Sequence, residues 1–264
     1  MKHITAYERV LIARDAKRPG IDEYMEELFT DVIELKGDRL GKEDPAIYGA
    51  IARFNGKPVT VIAHHKGKNL DENLKYNFGM PEPEGYRKAA RLMKQAERFG
   101  RPVITFIDTP GAYPGLEAES NGQSVAIAEN LKIMSALKTP VIAIVTGEGN
   151  SGGALAIGVA NSVWMLENAV YSILSPEGFA SILWKDANRK KEACDRMKMT
   201  ASDLFEYGLI DGVIKEPKGG IQQDKLLGME KVREVIAHEI ERLGSYSGEE
   251  LAQMRYEKFR RMGA

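Results

Sequence analysis

VIAIVTGEGNSGGA, residues 141–154, is an apolar run, Val141 to Val145, that passes through a glycine-rich turn and directly into small, helix-compatible residues. A short continuous apolar run bounded by breakers has the pattern of a strand buried on both faces. Upstream the same arrangement occurs in VITFIDTPGAYPG, residues 103–115, where Val103 to Ile107 is the apolar run and a Gly/Pro-rich turn follows. Between the two, Ser124 to Leu137 has helical spacing with Val125, Ala128, Leu131, Met134 and Leu137 on its inward stripe, and Thr139-Pro140 breaks it. Before Val103, the positions Tyr86, Ala89, Ala90, Met93, Ala96 and Phe99 define another helix, stopped by Gly100. A third helix is expected over Gly152 to Ala160, followed by strands over Val163 to Leu166 and Val170 to Leu174. Strands alternating with helices require crossover connections, so the expected fold class is α/β with a largely parallel sheet covered by helices.

Outward from this core, Ile47 to Phe54 and Pro58 to His65 are β-rich runs separated by Asn55-Gly56, the dipeptide of a tight hairpin turn. Ile21 to Leu35 is an acidic amphipathic segment whose charges mark a solvated helix face. Beyond Pro217 the pattern is helical, over Asp224 to Leu243 and Gly248 to Met262. No linker, low-complexity stretch or repeat interrupts the chain, so 1–264 is expected to be one domain. Its parts are an N-terminal helical segment (1–45), a core (46–216) and C-terminal helices (217–264).

The 264 residues carry 37 Lys+Arg against 38 Asp+Glu, a net charge of −1 that argues against a nucleic-acid partner. The single Cys194 excludes a disulfide framework or a cysteine-cluster zinc site within the chain and suggests a reducing compartment. No apolar run approaches the ~18 residues of a spanning helix, and Met1 to Arg14 contains no signal-peptide core, so a cytoplasmic location without membrane contact is expected.

Chemistry concentrates at the two strand-to-helix junctions. In the second, five glycines fall between 147 and 158, and the helix that follows leaves its first N–H groups unpaired, donors suited to an oxyanion. The alternative is that the glycines only permit close packing of helix on sheet. Gly149-Asn150-Ser151-Gly152-Gly153 also satisfies the G-x-S-x-G pattern of a serine hydrolase, and Asp211 and His238 follow in the right order. Against it, Thr146 to Gly149 intervene between the apolar run and Ser151, and His238 belongs to a helix whose inward face is set by Val232, Val235 and Ile236. Met197-Lys198-Met199 matches the triplet around a biotin-accepting lysine, but it follows the charge-rich run Lys185 to Arg196 and precedes the helix-start pattern Thr200-Ala201-Ser202-Asp203. It is read as coincidence. That basic run has the pattern of a solvated helix face. His64 and His65 are adjacent in a strand and point to opposite faces, which disfavours a shared metal ion. No P-loop pattern is present, so ATP is not bound in that manner.

With these residues in view, the chain resembles the alpha subunits of bacterial acetyl-CoA carboxylase carboxyltransferases. The motifs concerned are Asn77 to Pro81 with Pro83 to Ala89, Ile107 to Gly115, Gly147 to Gly158, and ILSPEGFASILW at Ile173 to Trp184. Longer members of that family carry an additional helical N-terminal extension not seen here. The resemblance implies a crotonase-like (ClpP/crotonase) spiral of ββα units with a largely parallel sheet and C-terminal helices. It implies transfer of a carboxyl group from carboxybiotin, held on a biotin carboxyl carrier protein, to acetyl-CoA, giving malonyl-CoA for fatty-acid biosynthesis. It further implies a zinc-ribbon beta subunit, with two alpha and two beta chains in a heterotetramer that shares each active site, and a separate biotin carboxylase that consumes ATP. No covalently bound cofactor and no metal are implied for this chain. By resemblance, Gly152, Gly153 and Ala154 form the biotin-side oxyanion hole, Gly111 and Ala112 its facing lip, and Gly147, Gly149, Tyr113 and Pro114 the carboxybiotin pocket. The competing readings are a Ser151 hydrolase and a non-catalytic scaffold for the beta subunit.

Overall fold

A computed structural model describes residues 4–263. At the front, α1 (Ala6–Ala13) is closed by a capping box between Thr5 and Glu8, and α2 (Ile21–Leu28) buries Tyr24, Met25 and Leu28. The amphipathic segment does not continue as helix to Leu35. Phe29 turns extended, and Thr30–Glu34 forms β1, an exposed strand antiparallel to β2 (Ile47–Phe54). The N-terminal 1–45 segment is therefore helical only in part, because its β-branched residues have a neighbouring strand edge to pair with.

The hairpin forms as the sequence predicts: β2 pairs with β3 (Lys57–His64), and Asn55 (φ 47°) and Gly56 (φ 77°) both take the left-handed conformation of a type I′ turn. After a short helix, α3 (Leu70–Lys75), comes α4 (Pro83–Arg98), started by proline in its first turn and ended beyond Phe99 by Gly100 at φ 63°. It crosses over to β4 (Val103–Thr109). The short α5 (Leu116–Ser120) and α6 (Gln123–Ala136) then return the chain to β5 (Val141–Asn150). The buried face of α6 matches the expected one in its second half, where Leu131, Met134 and Leu137 meet the core, but not in its first. Val125 is 71% exposed, Ala128 is also exposed, and Gln123, Ala126, Asn130, Ile133 and Met134 point inward. Gln123 earns that place by donating Nε2–H to the carbonyls of Pro81 and Tyr113.

The third helix is shorter than the sequence predicts: α7 covers only Ser151–Leu155 and gives way to turns before β6 (Ser162–Leu166) and β7 (Val170–Ser172). Then follow α8 (Pro176–Trp184), α9 (Lys190–Met197), α10 (Ala201–Glu206, capped by Thr200), β8 (Gly212–Ile214), α11 (Lys225–Leu243) and α12 (Gly248–Arg261). Among the described residues the sheet has the order β1-β2-β3-β4-β5-β6-β8, and β7 pairs with the far end of β5. Every pairing from β3 onward is parallel. One buried cluster runs through both faces of β3, β4 and β5 into α4, α6, α11 and α12, with Val141 to Val145 wholly inaccessible. No helix among the described residues is long and apolar enough to cross a membrane.

Candidate active site

β4 and β5 are parallel neighbours, and Thr109 pairs with Gly149, so the turns after both strands leave the sheet at one edge. The Thr109 hydroxyl accepts from the Gly111 N–H (3.0 Å) and donates to the Gly111 carbonyl (2.8 Å), fixing Gly111 at φ 143°. Across from it, a Cβ built on Gly153 would lie 2.5 Å from the Ala112 nitrogen and 2.6 Å from the Gly111 carbonyl carbon. The two turns thus touch backbone to backbone, which only glycine allows, so they pack on each other where the sequence reading expected a lip facing a cleft. Gly111 and Ala112 back the start of α7 directly, with no gap between.

β5 does not stop at Val145. Pairing with Thr109 on one side and with β7 on the other carries it through the glycines to Asn150, so Ser151 follows the strand at once, at φ 58°. The intervening-residue objection to a Ser151 nucleophile therefore fails. Among the described residues, neither Asp211 nor His238 is hydrogen-bonded to Ser151. Asp211 accepts from the Val163 N–H and from Lys258, and His238 is 68% exposed on α11, 3.9 Å from Glu239. Cys194 is buried, and its thiol is pushed up to about 11, far from a nucleophile's range.

Gly147 and Gly149 lie inside β5. A Cβ on the first would run into the Asp108 carboxylate, and one on the second would sit 3.0 Å from the Tyr171 ring. Both are demanded by packing, and neither faces open space. Tyr113 and Pro114 sit on the neighbouring turn, where Tyr113 is held through its N–H to Pro81 and its carbonyl to Gln123. Gly152, by contrast, borders a cavity of about 640 Å³ with Ser151, Leu155, Tyr171, Phe179 and Lys198 among its walls. Gly152 and Gly153 belong to the first turn of α7, where N–H groups have no earlier carbonyl to bond, whereas Ala154 is the fourth residue, whose N–H closes that turn onto the carbonyl of the N-cap Asn150.

The surrounding charges are already committed to one another. Lys66 Nζ stands 3.5 Å from both Asp108 and Glu148, Glu148 accepts from Arg14 Nε at 2.8 Å, and Arg14 forks onto Glu177. Behind them Arg18 donates to the Thr146 carbonyl and pairs in bidentate fashion with Glu216. This arrangement suits backbone stabilisation of negative charge better than proton abstraction by a side chain.

His64, which the sequence reading set aside, packs against the start of α7. Its Nε2 lies 3.3 Å from the Gly153 carbonyl, while His65 turns away to Asp22, so the two imidazoles diverge as adjacent strand residues should. Strand alternation could have shown this, since His64 shares a face with buried Ile62 and Thr60. Burial pushes the His64 imidazole down to about 4, so at neutral pH it is uncharged and Nε2–H donates to Gly153. The unfolded chain protonates this group below about pH 6.5 and the native chain does not, so its stabilising effect is lost as pH falls from there towards 4. Between pH 7.5 and 5 we expect His64 to account for about 2 kcal/mol of lost stability. Urea titrations at the two pH values should show His64→Gln with that component missing; an unchanged pH response would show that His64 is not held neutral.

Comparison with known proteins follows the same line. A sequence profile described as acetyl co-enzyme A carboxylase carboxyltransferase-like matches residues 1–263. The acetyl-coenzyme A carboxylase carboxyl transferase subunit alpha of Clostridium acetobutylicum is 57% identical over 262 residues, covering 99% of this chain and 96% of that relative. Its counterpart from Listeria monocytogenes is 54% identical over 261 residues, with 99% and 82% covered. Among solved structures, transcarboxylase 12S superposes with a TM-score of 0.72 at 20% identity, over 93% of this chain but only 46% of its own. A chain of the Pseudomonas malonate decarboxylase hetero-tetramer does so with a TM-score of 0.68 at 16% identity, over 90% and 92%. These likenesses establish the crotonase-like α/β fold.

Proposed function

The chain belongs to the family of acetyl-CoA carboxylase carboxyltransferase alpha subunits, and from that premise we propose how its site performs carboxyl transfer. It is the alpha half of the enzyme that moves the carboxyl group of carboxybiotin to acetyl-CoA, giving malonyl-CoA for fatty-acid biosynthesis. In the balanced reaction the N–CO2 bond of carboxybiotin breaks, and its electron pair passes to the ureido group. The acetyl-CoA methyl proton ends on that nitrogen, and the new C–C bond forms to the released CO2. The protein's task is to hold two oxyanions and exclude water.

The observation that carries the biotin-side assignment is the contact of Gly153 with Gly111 and Ala112, which presents the first turn of α7 beside an apolar cavity. Gly152 and Gly153 supply the N–H donors, Ala154 follows them and closes the first turn of α7, Gly111 and Ala112 brace them, and His64 holds the Gly153 carbonyl. Gly147 and Gly149 set the packing beneath. The cavity, apolar and bordered by donors, suits the ureido bicycle of carboxybiotin arriving on a biotin carboxyl carrier protein that biotin carboxylase has charged. Its rim supports a second subunit: Ile173 (77% exposed), Tyr207 (58%) and Leu155 (37%) form an apolar surface that a partner would cover. That partner is a zinc-ribbon beta subunit carrying the acyl-side hole, in a cytoplasmic heterotetramer, and 1–264 acts in it as one domain.

The conformation of Ser151 gives the hydrolase its one favourable observation, and a direct test separates the two. Ser151→Ala is expected to retain carboxyl transfer to within a few-fold, and a fluorophosphonate probe should leave the protein unlabelled. Stoichiometric labelling at Ser151 would favour the hydrolase.

A further inference from the structure

Four cations of α4, Arg87, Arg91, Lys94 and Arg98, recur at i, i+4, i+7 and i+11, so they form one stripe on the side of the helix opposite its buried Ala89, Leu92, Met93 and Ala96. The stripe is walled in. With Arg39 from the loop between β1 and β2 and Glu129 from α6, it lines a groove of about 570 Å³. Contacts within the groove hold these side chains in it. Arg87 donates Nε–H to Asp38 (3.0 Å) and Nη1–H to the Asn121 carbonyl (3.2 Å), and Lys94 reaches Glu129 at 3.7 Å. Arg91 is half-buried and donates through Nε and Nη2 to the carbonyls of Gly37 and Lys36 at 3.0–3.2 Å, so its charge has no carboxylate partner. Arg39 and Arg98 have no ion-pair or hydrogen-bond partner among the described residues. Five cations thus share the walls with two carboxylates, and Asp38 already accepts from the N–H groups of Leu40 and Lys42. Burial and the nearby Arg39 guanidinium both press the Arg91 pKa down, which puts the two positive charges within reach of each other. Like charges at i, i+4 and across a groove repel, and a bound anion would relieve that repulsion.

We propose that this groove between α4, α6 and the 36–39 loop binds a small phosphate-rich anion of the pyrophosphate class, free or carried on a nucleotide. Four of its five cations are arginines, whose planar guanidinium donates two parallel N–H bonds to a phosphoryl group where a lysine offers a point charge. Two linked phosphoryl groups bring about as many negative charges as Arg39, Arg91 and Arg98 leave uncompensated. The groove has the volume of a small-molecule site. It is concave and confined to one helix stripe, and the whole chain carries a net charge of −1, so a nucleic-acid polymer would find little further positive surface to follow. No residue lines both this groove and the cavity that Gly152 borders, so the proposal stands independently of the biotin-side reading.

Isothermal titration of the full chain with inorganic pyrophosphate should show one saturable site with a Kd below about 1 mM at low salt, weakening as salt is raised. ADP should compete for it, AMP should bind more weakly, and adenosine should not bind. ADP binding more tightly than pyrophosphate assigns the site to a nucleotide, and equal affinities assign it to the free anion. Arg91→Met should weaken pyrophosphate binding by about 10- to 100-fold, the range of a charge-assisted hydrogen bond. Arg39→Met removes a side chain with no partner in the fold and should weaken binding as well, so it carries the test if Arg91→Met loosens the loop that Arg91 holds. Glu129→Gln should tighten binding, because it frees Lys94 and removes an opposing charge. Thermal melting of each variant without ligand separates lost binding from lost fold. The absence of saturable pyrophosphate binding overturns the proposal, and so does an affinity unchanged in both folded arginine variants. An oligonucleotide that binds more tightly than pyrophosphate, and more so with each added length, would assign the stripe to a polymer and overturn it too.

Discussion

Gly153→Ala is expected to abolish most carboxyl transfer and to destabilise the protein, whereas Gly152→Ala is expected to fold normally. A methyl group at 153 would meet main-chain atoms of Gly111 and Ala112 at 2.5–2.6 Å, and that turn is tied at both ends of Gly111 by Thr109. Backbone cannot yield as a flexible side chain can, so the two turns must part. Overpacking of this kind costs about 3 kcal/mol or more. Displacing the α7 donors should lower kcat by about 10²- to 10³-fold, the measured scale for losing one oxyanion donor. At Gly152 the nearest atoms to a new Cβ are side-chain carbons of Ile127 at 3.5 and 3.7 Å, an ordinary contact. Chemical denaturation and steady-state turnover with the beta partner check both variants, and equal behaviour would show that the contact of the turns is not what shapes the site. The same geometry makes Gly153→Val a poor probe of the scaffold reading, because any side chain there disturbs stability and site together.

Arg18→Met should be nearly as damaging, through the fold. Arg18 and Glu216 have side chains only 3% and 0% exposed, and Arg18 also holds the Thr146 carbonyl in β5. Burial opposes the charge on Glu216, but Arg18 and backbone donors outweigh it and keep its pKa low. Removing Arg18 strands that carboxylate, at a cost of about 3–5 kcal/mol. The double variant Arg18→Met/Glu216→Met should recover much of the loss, since an apolar pair of similar volume leaves no buried charge. Denaturation midpoints of the single and double variants decide the matter. A single variant within about 1 kcal/mol of wild type would mean that water reaches the pair, contrary to its burial.

The elements that bury apolar side chains on a regular period were legible in the sequence: the Asn55-Gly56 hairpin, β4, the first half of β5, α4, α11 and α12. Those held together by pairing or by polar contacts were not. β1 is exposed along its whole length, so hydropathy carries no trace of it. The second half of β5 is glycine-rich because Asp108 and Tyr171 press against it, a reason invisible until the neighbouring strands are in place. In α6, Gln123 and Asn130 face inward while Val125 faces out, which inverts the usual sign of the pattern. For the proposed site, the glycines drew attention to the two turns, but composition could not separate Gly147 and Gly149, buried against Asp108 and Tyr171, from Gly152, which borders the cavity. Lys198 stood out for its neighbours in sequence, but it caps the end of α9 and is not at a hairpin tip, so the biotin-acceptor likeness of Met197-Lys198-Met199 stays a coincidence of sequence.

Carboxyl transfer itself is the claim to measure. With malonyl-CoA as donor and biocytin as acceptor, this chain and a zinc-ribbon beta subunit should be assayed separately and then mixed. A single glycine-rich helix start offers one oxyanion hole where the reaction needs two, so each chain alone should be silent, and the mixture should form acetyl-CoA with saturation near equal stoichiometry. Robust turnover by the isolated chain, or a silent mixture of two folded and associated chains, would contradict the account.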